Sequence, residues 1–478
     1  MRVAALCASL LSACSFPGPP ALLPPPFGPD PARPEPARFF FPTGIAIDPT
    51  ASWVVVTNSN ADHLFDAGAM YSLRAADLAQ YFPPGGAKGT VSFPVAALAG
   101  KVIIGNYSGP LILAGGTSGA PASAPITAYT GSRDTNRLNA VALDPATGSL
   151  ACRGPGGDDC RGASIDLKNA AGLEGPFGIA AGKVHPPGLP GDVDAVLVNS
   201  LVPHIDEIQS GVGVFSTSRL AALNQADLSV LFTSIVTDPA NGSGFGGGPI
   251  VFDDNAREVI VAGCYTRFGA ASPGGEASTL KCGSLASGTN LLRFVPVEAG
   301  SSAKTRIIDL GSQVHSTDTT GLALGDVDPV SGMRRLYMTT RFADTVVRIG
   351  LPADPAFVPV VEAVVPISSQ PSQILRLKRP GSTTGPDLLA ISAVATYEVS
   401  TTAGKLVLMD GMLGRVVGQV DRLGDTPFAI AQFPPAAGDK SARLAITLFG
   451  GCSVALVDVP YDRPADASLR ANLGSCPP

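Results

Sequence analysis

Charge is scarce in this chain. Its 478 residues include 33 Lys and Arg against 39 Asp and Glu, 15% in all, for a formal net charge of −6. The basic residues never form a block, which excludes the electrostatic footprint of a nucleic-acid-binding protein. Histidine is rarer still, with four copies, and Trp53 is the only tryptophan. No G-x-S-x-G, P-loop or H-E-x-x-H stretch occurs, so the common nucleophile, nucleotide and zinc-protease signatures are missing. There is no C-x-x-C and no histidine at zinc-ligand spacing, and no metal or other cofactor is expected. Nothing offers 18 consecutive apolar residues, which excludes a membrane-spanning helix. Helical periodicity is confined to Ser72–Gln80 and Ser218–Asp227.

What is abundant is apolar and turn-forming. Hydrophobic residues make 45% of the chain, and 55 glycines with 44 prolines make about a fifth of it. That composition builds a large core and excludes global disorder.

The N-terminus reads as an address. Met1-Arg2 is a short basic start, Val3 to Leu11 is apolar, and Leu11-Ser12-Ala13 places small residues just before Cys14. These are the regions of a secretory signal. Ending it on cysteine resembles the lipobox of bacterial lipoproteins. The resemblance implies a signal peptide over residues 1–13 and an acylated Cys14 that anchors the chain to a lipid bilayer without crossing it. Ser15 rather than Asp follows, which implies outer-membrane sorting and a periplasmic or surface-facing cell-envelope protein. Residues 14–38 then form a tether: ten prolines lie between Pro17 and Pro36. In extended polyproline II it would span up to about 70 Å.

Six cysteines remain beyond Cys7 and Cys14, and they fall into locally close pairs. The expected disulfides are Cys152–Cys160, Cys264–Cys282 and Cys452–Cys476, which fit an oxidising compartment. The last is expected to pin Ser468–Gly474 as the outer strand of the final repeat, closing the fold.

From residue 39 to 478 one pattern recurs seven times: an apolar strand, a polar turn, then an alternating strand. The copies are Trp53–Leu73, Ile126–Asp144, Ala195–Ser216, Val259–Val295, Leu336–Leu351, Leu388–Asp410 and Leu444–Asp458. Short strands precede most of them, such as Phe41–Asp48, Gly175–Ala181, Thr319–Asp328 and Thr426–Phe433. Each element is a short run of Val, Ile, Leu, Ala and Thr bounded by Gly, Pro, Asn and Asp, which is strand-and-turn chemistry. One such meander cannot bury both its faces, so the seven must pack on each other. Radial packing predicts an all-β fold, a seven-bladed β-propeller. The V-x-N/T-x-x-x-N/D-x-V-x-V-x-D pattern resembles YncE-like and lactonase-like propellers. The blades here are longer than such repeats, about 63 residues each. The surplus lies in Gly/Pro/Ser-rich inserts such as Gly115–Pro125 and Gly269–Ser287.

In a propeller, the loop between each copy's two long strands reaches one rim. That places Asp62, His63, Asp66, Arg133, Asp134, His204, Asp206, Glu207, Arg267, Arg341, Asp344, Tyr397 and Glu398 around a common funnel, with His315 and Asp318 alongside. Acids, arginines and histidines converging on one end suit binding of a polar ligand or an envelope protein partner. The expectation is a binding or scaffolding module. The alternative is a lactonase-like or other hydrolase using the rim histidines and carboxylates. Acid pairs elsewhere, such as Asp253-Asp254 and Asp326/Asp328, read as turn formers. Trp53 reads as blade packing, and Arg133, Arg267 and Arg341 as turn-stabilising.

Overall fold

The computed structural model describes residues 22–27, 37–83, 89–115, 125–200, 205–209, 212–215, 219–235, 244–266, 288–297, 306–310, 314, 318–341, 343–354, 357–381, 387–394 and 404–476. Seven meandering sheets follow one another along the chain. Blade 1 is β1 (Pro42–Ile47), β2 (Trp53–Asn58), β3 (Gly68–Arg74) and β5 (Leu98–Ile104), with helix α1 (Ala75–Ala79) and the short strand β4 (Thr90–Val91) before β5. Blade 2 is β6 (Ser108–Gly115), β7 (Ile126–Ser132), β8 (Arg137–Leu143) and the short β9 (Leu150–Cys152) and β10 (Ile165–Asp166), followed by helix α2 (Leu167–Ala171). Blade 3 is β11 (Pro176–Val184), β12 (Val193–Ser200), β15 (Arg219–Asn224) and β16 (Val230–Ile235), with a separate hairpin β13 (Ile205–Gln209) and β14 (Val212–Phe215) between its middle strands.

The remaining blades are plain. Blade 4 holds β17 (Gly244–Asp253), β18 (Glu258–Thr266), β19 (Gly288–Pro296) and β20 (Arg306–Asp309); blade 5 holds β21 (Asp318–Val327), β22 (Arg334–Arg341), β23 (Thr345–Leu351) and β24 (Val360–Pro366). Blade 6 holds β25 (Gln370–Leu377), β26 (Leu388–Val394), β27 (Gly404–Asp410) and β28 (Arg415–Gly424); blade 7 holds β29 (Pro427–Gln432), β30 (Ser441–Leu448), β31 (Ser453–Pro460) and β32 (Ser468–Leu473). The first strand of each blade touches that of the next, and β29 returns to β1, closing the ring. This is the seven-bladed propeller that the repeat predicts.

The core is seven separate apolar layers, one per blade interface. Val54 and Val56 face blade 7 beside Ala445 and Leu456, while Val55 faces blade 2 beside Ala128 and Val141. Both faces of the second strand are therefore buried, which is why those strands read as unbroken apolar runs. Trp53 is packing, as expected: it is 5% exposed, donates from Nε1 to the Pro145 carbonyl at 2.9 Å, and lies against Gly148.

Each first strand slips register near one end, between Pro42 and Gly44, Pro176 and Ile179, or Pro427 and Ile430, for example. The polar residue after each apolar run closes the gap. Asn199 accepts from the Gly178 amide at 2.7 Å and donates to the Gly248 carbonyl of blade 4 at 2.9 Å. Ser392 accepts from Gln373 at 3.1 Å and donates to Phe428 of blade 7 at 2.7 Å. The Asn, Thr or Ser of the repeat thus satisfies backbone groups that a bulge leaves unpaired.

Two expectations change. Ser218–Asp227 is not helical: Arg219–Asn224 is β15, and Leu220 to Leu223 are all fully buried. Ladder bonds and two-sided burial override the helix propensity of Leu and Ala there. The hairpin after His204 is consequently an insert, and its strand β14 is not blade 3's third strand. The proline-rich stretch is also not extended spacer throughout. Pro24 and Pro25 are buried, Pro25 accepts from the Tyr71 hydroxyl, and Lys101 lies 5.0 Å over the Phe27 ring.

Ring closure follows the sequence reading and adds to it. β32 pairs with β31, and Cys452–Cys476 is bonded. β4, from blade 1, pairs in parallel with β32, so blade 7 gains a fifth strand from the first blade. Cys152–Cys160 is also bonded, and its loop pairs on the outer edge of blade 1 through Ile103. Covering an outer strand this way removes an edge that would otherwise template aggregation. The Cys264–Cys282 pairing lies outside the described residues, as do Cys7 and Cys14.

Candidate functional site

In a meandering blade, the second-to-third loop and the link to the next blade leave at the same end. That end is the rim face; the opposite end is the base. At the base, tight turns are closed by Asp side chains. Asp253 accepts from the Asn255 amide at 3.0 Å and Asp328 from Val330 at 2.8 Å, as expected for turn formers.

The rim face is built differently. Twelve non-glycine residues among those described have a left-handed backbone, and eight of them are on the rim face: Phe41, Asn60, His63, Tyr107, Asn136, Asp344, Thr426 and Cys452. Asn60, Asn136 and Asp344 adopt it readily, but each of the other five, Phe41, His63, Tyr107, Thr426 and Cys452, costs of order 1 kcal/mol. Such a backbone persists only where the surrounding structure over-determines it.

Between blades 1, 2 and 3 the loops lock together. Asn60 donates from Nδ2 to Asn106 Oδ1 at 2.8 Å, and the Tyr107 amide donates to the Ser59 carbonyl at 2.8 Å. The His63 ring meets Tyr107 edge-on at 4.9 Å. Arg133 sits with its guanidinium 5.9 Å from the Tyr107 ring centre and 5.8 Å from that of Phe177. Burial holds the Arg133 pKa below its ordinary value, opposed by Tyr107 and Asp134. Shielding by the loop raises the Asp134 carboxyl, against hydrogen bonds from Asn106 and Thr135. Across the blade 7–blade 1 junction, Phe449 lies 5.1 Å from Phe41 and 6.3 Å from Phe428. All five of these aromatic residues are half-buried.

The expected rim residues divide accordingly. His63, Arg133 and Asp134 share the cluster, while exposed Asp62 accepts from the Leu64 amide at 3.1 Å within its own turn. Asp66 is engaged elsewhere, in a 2.7 Å ion pair with Arg161 of blade 2. Arg341 ends β22 opposite Asp318 in register. Asp206 and Glu207 fall on β13 of the inserted hairpin. His204, Arg267, His315, Tyr397 and Glu398 lie outside the described residues. Sequence reasoning passed over Phe41, Tyr107, Phe177, Phe428 and Phe449. The signal was present in the P-F-G-I and P-F-A-I heads of β11 and β29, where a large aromatic precedes a bulge.

No protein-family model matches the chain, and no curated protein matches it. Solved structures do match. A 6-phosphogluconolactonase-like protein of Bacteroides fragilis is 10% identical with a TM-score of 0.47, covering 87% of this chain and 93% of that one. Hydrazine synthase of Kuenenia stuttgartiensis is 12% identical, TM-score 0.44, over 77% and 83%. The Dos1 propeller is 10% identical, TM-score 0.41, over 90% and 78%. The likeness is one of fold alone.

One rim acid is separately testable. Asp344 is left-handed, its Oδ1 is buried without a hydrogen-bond partner among the described residues, and burial raises its pKa. The fold therefore binds this proton more tightly than the unfolded chain does. Stability from this group is lost as pH rises through the carboxylate range. Asp344→Asn keeps the shape, tolerates the left-handed backbone and stays neutral. Its melting temperature should exceed wild type at pH 7 and converge with it near about pH 4. Equal melting temperatures at pH 7 would show that the carboxylate carries no penalty.

Proposed function

We propose that this chain is a binding propeller of the bacterial cell envelope, held to a membrane by acylated Cys14. Its rim face captures a polar ligand or a protein segment. The observation that carries the reading is Arg133 held between the Tyr107 and Phe177 rings, beside Asp134. Aromatic residues and arginine dominate the energetics of recognition surfaces, because they combine large contact area with directed polar groups. A guanidinium fixed between two rings loses little further freedom on binding, so its donors are already aimed. The rim-face strain and the Phe41–Phe449–Phe428 group extend the same surface across the ring opening. The signal-and-cysteine start and the cysteine pairs support the envelope location.

The test is capture from the native membrane after cross-linking, using tagged full-length chains. Arg133→Ser and Phe177→Ala should each reduce recovered partner at least tenfold while changing the melting temperature little. Val330→Ser, on the exposed base, should capture as wild type does. Undiminished capture by both rim variants would remove the rim face as the binding surface.

A further inference from the structure

We propose that the rim face, and not the base, is turned toward the bilayer, and that Leu22, Leu23 and Leu64 form its lipid-contacting edge. The inference rests on the lipid-anchor reading above and concerns how that anchor orients the ring.

Only seven residues separate Cys14 from Leu22. Leu22 is tied to the rim face, where its carbonyl accepts from the Asp66 amide of the β2–β3 loop at 2.8 Å. From there residues 24–27 run along blade 1, fixed by the Tyr71 hydroxyl on Pro25 and by Lys101 over Phe27. The span available between Cys14 and the ring is therefore these seven residues and not the whole proline-rich stretch. Eight chain steps reach at most about 28 Å when fully drawn out. A strand of six or seven residues stands about 20–25 Å tall. Bringing the base to the membrane would use nearly all of that reach, with the span taut along the outside of blade 1. Turning the rim face to the membrane leaves the span slack.

The surface at that end is suited to lipid. Leu22, Leu23 and Leu64 are 39%, 40% and 52% exposed, and the Asp66–Leu22 hydrogen bond sets the first two beside the β2–β3 loop that carries Leu64. Isolated exposed leucines need no explanation, but three clustered at an anchor's exit form an apolar edge that can enter a headgroup layer. With the rim facing inward, the Arg133 cluster addresses partners at the membrane surface.

Tryptophan quenching tests this directly, since the one native tryptophan, Trp53, is 5% exposed. Acylated full-length protein is reconstituted into phosphatidylethanolamine–phosphatidylglycerol vesicles with brominated acyl chains. Wild type should float with the vesicles and Cys14→Ser should not. The emission added by Leu64→Trp should be quenched by half or more, and that added by Val330→Trp should not be quenched. Flotation of Cys14→Ser equal to wild type would overturn the anchor and the orientation with it. If only wild type floats, but Val330→Trp is quenched or Leu64→Trp is not, the anchor stands and the orientation is wrong.

Discussion

Replacing Arg293 with methionine should make the protein more stable, by about 3 kcal/mol at pH 7. Arg293 lies in β19 with its side chain fully buried, and none of its three guanidinium nitrogens has a hydrogen-bond partner among the described residues. It shares a strand face with Val295, and Val261 sits opposite; both belong to the apolar layer with Leu220 and Ala222 of blade 3. Burial alone pulls its pKa down to about 10. Charging it in that layer therefore costs the fold free energy that an unbranched apolar side chain of similar length does not. The sign also fixes the pH dependence. The unfolded chain holds this proton more tightly, so wild type regains stability as pH rises above about 10. The gap between Arg293→Met and wild type should narrow from pH 7 to pH 10.5. Calorimetry at both values reads it, and a destabilised variant at pH 7 would show that the guanidinium is satisfied.

The second large effect is at ring closure. The double substitution Cys452→Ser and Cys476→Ser should lower stability by about 3 kcal/mol, from the loop-closure entropy of a separation of 24 residues. The loss should be local at first. β32 carries both the bridge and the strand β4 lent by blade 1, so its release exposes an edge and frees the β4 segment together. Hydrogen exchange should therefore accelerate at Leu469–Leu473 and at Thr90–Val91, while the Leu389–Ile391 region of blade 6 stays protected. Uniform acceleration around the ring would mean that the bridge does not act through blade 7.

The blade count, two of the three cysteine pairs and the turn role of Asp253 and Asp328 were legible because each follows from local, repeated chemistry. Unbroken apolar runs such as Trp53–Val56 require burial on both faces, and seven of them require a ring. What was not legible depends on distant contacts. Nothing local in Thr90-Val91 says that it pairs with β32, more than 370 residues away. Arg219–Asn224 has the composition of a helix and is held as a strand by neighbours on both sides. The rim cluster was half visible. Charged loop residues suggested a polar funnel, which located His63, Arg133 and Asp134. The aromatic partners that give Arg133 its setting come from a blade link and an inner strand, which a loop-by-loop reading does not join.

That the rim face is the binding surface is most directly tested by site-specific photo-cross-linking in the native membrane. A benzophenone amino acid is placed at position 177 or 449 on the rim, or at position 330 on the base. Illumination should give a discrete protein adduct from the rim positions and none from the base. An adduct formed from position 330, with none from 177 or 449, would contradict the assignment.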